Sequence, residues 1–161
     1  MATTLLLKAD DTARLTSISG NVDLDSLTPW IFSAQLNDVR RVLGLPLYNK
    51  ILADFDNDDL AGEYKIIYDN YVTQMLVFFS ASLFISVNNY KITNGGVYKV
   101  NPENGESLEE SELLSLVERY KSIASGFELG FRDYMKGISI PEYNPSCKDN
   151  NSSFNFPWYL D

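Results

Sequence analysis

Asn70-Tyr-Val-Thr-Gln-Met-Leu-Val-Phe-Phe-Ser-Ala-Ser-Leu-Phe-Ile-Ser-Val-Asn-Asn-Tyr90 carries no charge from end to end. From just upstream into this stretch, Tyr64, Tyr68, Tyr71, Met75, Phe78 and Phe79 recur at helical spacing. Leu76, Leu83, Phe84 and Val87 widen that stripe until the second half is apolar nearly all round. The pattern predicts one long helix from about Glu63 to Asn88. A membrane span needs about 20 predominantly apolar residues. The strongly apolar part, Met75 to Val87, is shorter and contains Ser80, Ser82 and Ser86. The segment therefore reads as the buried central helix of a globular domain.

Working outward, Leu5 to Lys8 reads as extended, with a turn of helix from Asp10 or Asp11. Thr28-Pro29 reads as an N-cap with proline at the first helical position. Trp30, Ile31, Ala34, Leu36, Val39, Val42 and Leu43 then repeat at helical spacing up to Gly44. Pro46 opens a short helix carrying Leu47, Tyr48, Ile51 and Leu52, and Asp54 to Glu63 reads as a charged loop. Tyr90 to Val100 alternates around Asn94-Gly95-Gly96, predicting a β-hairpin. A last helix is expected from Leu108 to about Met135, with Ser107 and Glu110 as a capping box. Its continuous face is Leu113, Val117, Tyr120, Ala124, Phe127, Phe131 and Tyr134, and Gly137 can end it. The expected fold class is mostly α: a helical bundle with a long central apolar helix, a small β-hairpin insertion and an extended C-terminal arm. Residues 1–137 form the domain, with the hairpin at 90–100, and residues 138–161 form the arm.

A chain of 161 residues, 45% hydrophobic and 22% charged, is long enough for one cored domain. It contains no histidine, which removes the commonest general base, the commonest metal ligand and every histidine-activated nucleophile. Its single cysteine, Cys147, excludes an internal disulfide and multi-cysteine metal sites, and reads as inert. A net charge of −9 weakens any role that grips nucleic acid through its phosphates. Only three consecutive leucines precede charge at the N-terminus, so no secretory signal is read there.

The reactive-looking motifs have plainer readings. Asp54-x-Asp56-x-Asp58 invites a calcium loop, but Asp59 and Lys65 stand where the loop needs glycine and glutamate. Glu109, Glu110, Glu112 and Glu118 read as an exposed helix start rather than an acid–base pair. Asn94-Gly95-Gly96 lacks the ending of a phosphate loop. Gly126-x-x-x-Gly130 permits close approach of a second backbone, within the fold or from another subunit. No catalytic constellation, metal site or cofactor site is expected.

From Ile138 onward prolines and asparagines forbid a long element, yet Phe154, Phe156, Trp158 and Tyr159 crowd the last residues. Such a segment either folds back on its own domain or docks on another subunit, where aromatics dominate hot spots. Phe154, Phe156 and Trp158 alternate, so an extended chain presents them on one side.

Ile18-Ser-Gly-Asn-Val-Asp23, Ile31-x-x-Ala-Gln35, Val42-Leu-Gly-Leu-Pro-Leu-Tyr48 and the uncharged helix ending in Tyr90-Lys-Ile-Thr-Asn-Gly-Gly96 follow one another in order. Together they resemble the head–tail connector (adaptor) proteins of tailed bacteriophages of the crAss-like Bacteroides type, over roughly residues 5 to 135. The resemblance implies a non-enzymatic virion subunit of a homo-oligomeric ring, twelve-fold like the portal it joins. Its partners would be the portal and other neck or tail rings. Genomic DNA would pass through the channel without specific binding, and no membrane would be involved. The expected location is the head–tail junction, and the host cytoplasm during assembly. The expected interaction residues are Phe154, Phe156, Trp158 and Tyr159, acting in trans, with Gly126 and Gly130. The competing reading is a soluble helical module that binds a basic partner without catalysis.

Overall fold

A computed structural model describes residues 4–18, 22–88, 90–93, 96–99 and 109–143, with backbone alone at 90–93 and 96–99. A strap at Thr4–Lys8 leads into α1 (Ala9–Leu15). A 3-10 turn, Leu24–Ser26, is capped by Asp23, whose carboxylate accepts from Asp25 N at 3.1 Å. There follow α2 (Thr28–Ala34), a π turn (Gln35–Val39), α3 (Arg40–Leu43) and α4 (Leu45–Asp56). Next come α5 (Gly62–Ile67), a second π turn (Tyr68–Val72), α6 (Thr73–Asn88) and, after the strand segments, α7 (Glu110–Gly137).

The core sits where α6 lies between α7 and α2. Ile31, Leu43, Leu47, Ile51, Ile67, Met75, Leu76 and Phe131 are fully buried there. The run Gly62–Asn88 is long and apolar enough to cross a bilayer by composition, but Val72, Met75, Leu76, Val77 and Ala81 are wholly covered by the domain itself. Buried Ser80 and Ser82 donate to the carbonyls of Val77 (3.1 Å) and Phe79 (2.8 Å), so the core takes in their hydroxyls without orphaning them.

Four expectations need correction. The described residues are mostly helical, and the hairpin insertion expected at 90–100 is not part of the architecture. The backbone of Tyr90–Thr93 (β1) and Gly96–Lys99 (β2) runs antiparallel, and among the described residues no third strand joins this pair. A lone two-stranded ribbon is marginal in water, so it does not help define a fold built on packed helices. Second, α4 runs on to Asp56, because Lys50 and Asp54 one turn apart form an ion pair at 2.7 Å that favours helix over loop. Third, two helix starts differ: α7 begins at Glu110, where Glu109 N is satisfied by the Glu112 carboxylate at 3.1 Å, and the Ser107 box lies outside the described residues. Thr28, expected as a cap, is instead the first residue of α2.

Fourth, the boundary placed at 137/138 moves. Ile140 is buried in the core, Tyr143 packs edge-on against Phe131 at 5.4 Å, and Tyr64 Oη donates to Glu142 at 2.7 Å. Residues 138–143 therefore belong to the domain, because their apolar side chains find uncovered core at the end of α7. Cys147 and the aromatics Phe154, Phe156, Trp158 and Tyr159 lie outside the described residues.

Candidate functional site

The two π turns build a polar constellation around the N-terminal strap. Each inserts a residue into a helix and re-aims the side chains around it. The first buries Gln35, whose Oε1 accepts from Leu6 N at 2.9 Å while its Nε2 donates to Thr4 O and to Tyr48 Oη, both at 3.0 Å. The second carries Tyr68, whose hydroxyl donates to Leu6 O at 2.7 Å and whose own carbonyl accepts from Thr73 Oγ1 at 3.0 Å. Thr4 Oγ1 donates to Asp56 at 2.8 Å. A primary amide thus takes the place of a neighbouring strand, holding the strap while Leu6 and Leu7 enter the core. Burial pushes the Tyr68 hydroxyl above its ordinary range, so it stays a donor.

Beside the strap, Leu5, Thr28, Pro29 and Phe32 line an apolar groove of about 250 Å³. A second, more polar cleft of about 460 Å³ lies between α4, α5 and Ser139–Pro141, with Lys50, Asp54, Asp59, Glu63 and Tyr64 in its walls. There Lys50 Nζ bonds Asp54 and lies 5.2 Å from the centre of the Tyr64 ring. Hydrogen bonds to Glu142 and Glu63 push the hydroxyls of Tyr64 and Tyr134 up to about 12. Both hydroxyls are therefore fixed donors at neutral pH and poor proton acceptors.

Arg41 and Arg132 both bind the Glu128 carboxylate, at 3.1 and 2.7 Å, clamping α3 to α7. Burial alone would raise the pKa of Glu128, but the two arginine hydrogen bonds overcome it and hold the group below its ordinary value. Nearby Asp38 is half-buried, and desolvation pushes it up against the opposing pull of Arg41.

The sequence-picked residues fall in different places. Gly130 faces the Tyr71 ring, where an added Cβ would lie 3.4 Å from the ring edge, so it serves packing within the fold. Gly126 has nothing within 4 Å of where a Cβ would lie, and it stays open to solvent. Asp54 is paired with Lys50 and Asp56 with Thr4, so the structure does not bring the Asp54–Asp58 run together as a ligand set. Among the described residues no three acidic, histidine or cysteine side chains are grouped to hold a metal ion. Glu109, Glu110, Glu112 and Glu118 are exposed. Sequence reading missed the strap latch; its one available signal was a glutamine four residues after Ile31 on an otherwise apolar helix face.

Fold and surface define a small α-helical domain with a latched N-terminal strap and two open grooves. The chain belongs to a family of unknown function, DUF6712, whose profile matches residues 39–153. No curated protein and no solved structure is significantly similar to it.

Proposed function

We propose that this chain is a non-catalytic structural subunit of a ring joining a phage portal to its tail, lining or extending the DNA channel. The reading rests on the connector-like segments. What supports it is that the segments with described side chains are the ones that build the fold. Ile31, Ala34 and Gln35 form the buried face of α2 and its π turn. Val42 to Tyr48 make the sharp turn from α3 to α4, where Gly44 has φ +78 and Pro46 sets the first turn.

The carrying observation is α7. Its 28 residues span about 42 Å; the inner face covers α6, while Leu114 and Leu129 stand outward, 55% and 64% exposed, with Gly126 open beside Leu129. A lengthwise helix face with exposed leucines and an open glycine suits lateral contact between neighbours in a closed ring.

Electron microscopy of the purified protein, alone and mixed with the portal, tests this. Rings, or added density on the portal, are expected. A chain that stays monomeric, neither binds the portal nor enters portal-containing particles, overturns it. The acidic walls of the polar cleft favour one other reading, a monomer that captures a basic protein; a stable one-to-one complex with such a partner would mark it.

A further inference from the structure

We propose that the groove formed by Leu5, Thr28, Pro29 and Phe32 is the seat of this chain's own aromatic segment, Phe154 to Tyr159, with Trp158 as the anchor. At about 250 Å³ the groove is smaller than sites for drug-sized ligands, and it has room for one aromatic side chain. Among the described residues Thr28 supplies its only polar side chain, so they offer little to a polar metabolite. Its walls are set in advance. Leu5 sits between Thr4 and Leu6, whose backbones are bonded to Gln35 and Tyr68. Pro29 has a fixed φ in the first turn of α2, and Phe32 follows it on the same helix. Preformed apolar pockets of this kind take aromatic anchors with little ordering cost.

The occupant follows from where the chain leads. Residues 138–143 already run back over the domain, and Glu142 is bonded to Tyr64. Tyr64 lies one turn from Tyr68, which is bonded to Leu6, the neighbour of the groove-lining Leu5. From Tyr143 to Trp158 is 15 residues, a reach of about 50 Å when extended. A domain of this size has a radius of gyration of about 15 Å, so the arm reaches the groove of its own chain with slack. A short tether also keeps the segment at an effective concentration that a second chain in dilute solution does not match. This docking replaces the trans placement expected of these aromatics, and it leaves the ring reading to the outward face of α7, so the two stand or fall separately.

The test uses the full-length chain with benzoylphenylalanine in place of Phe156, prepared as an equal mixture of isotopically light and heavy protein. After irradiation, cross-links are mapped by mass spectrometry. Cross-links to the Thr28–Phe32 segment within one chain are expected. Their yield should fall at least tenfold in Phe32→Asp and equally in Trp158→Ala, which leaves the described fold untouched should Phe32→Asp prove unstable. Cross-links joining light to heavy chains, cross-links to another segment, no cross-link, or a yield unchanged in Trp158→Ala would each overturn the proposal.

Discussion

Replacing Gln35 by Met keeps a long, flexible side chain at a fully buried position and removes only its hydrogen bonding. The amide makes three bonds, to Leu6 N, Thr4 O and Tyr48 Oη. Each contributes about 1 kcal/mol net, and a buried Leu6 N–H left without a partner costs about 1–3 kcal/mol more, so a loss of about 4–6 kcal/mol is expected if the strap stays in place. The strap sets a ceiling. If it simply lets go, the orphaned groups find water, and the loss becomes the burial of Leu6 and Leu7, about 1.5–3 kcal/mol each. The cheaper route governs, so the observed loss should be about 3–6 kcal/mol, equivalent to a drop in Tm of about 6–24 °C for a domain of this size. Urea unfolding followed by circular dichroism measures the total. Hydrogen exchange at the Leu6 amide tells the routes apart: protection persists if the strap stays, and disappears if it detaches. A variant within about 0.5 kcal/mol of the parent, with Leu6 equally protected, would show that the amide does not hold the strap.

Three further outcomes follow from the packing and charge. Phe131→Ala removes a fully buried ring that meets Tyr71 and Tyr143 edge-on, and should lose about 3–5 kcal/mol in the same urea assay. Because the folded pKa of Glu128 lies below its ordinary value of 4.5, its contribution is present above that value and is lost as pH falls through the folded pKa; Glu128→Gln should flatten that acid-side fall in melting temperature. Asp38 has the opposite sign: its folded pKa is raised above 3.8, so its stabilising contribution is full below 3.8 and is lost as pH rises through the folded value. Asp38→Asn should therefore melt higher than the parent at pH 7, with the advantage vanishing in acid.

Sequence alone determined the helical character, because hydrophobic spacing is a local property that only one face of a helix satisfies. The central helix, expected from Glu63 to Asn88, runs Gly62–Asn88, and the apolar face expected of α7 is the face that meets α6. Tertiary structure decided what spacing does not encode. Neither π turn is legible in propensity, since the same residues make an unbroken α-helix locally; what distinguishes them here is Gln35 and Tyr68 turned onto the strap. The split of Gly126 from Gly130 depended on which flank of α7 the Tyr71 ring approaches, a matter of helix rotation rather than motif. The alternation expected to form a hairpin over Tyr90 to Val100 overstated a local pattern, because no further strand among the described residues joins Tyr90–Thr93 and Gly96–Lys99 and the fold rests on its helices. Residues 138–143 read as the start of an arm because Pro141 ends regular structure; they pack in the domain because Ile140 and Tyr143 meet apolar surface that only the assembled helices create.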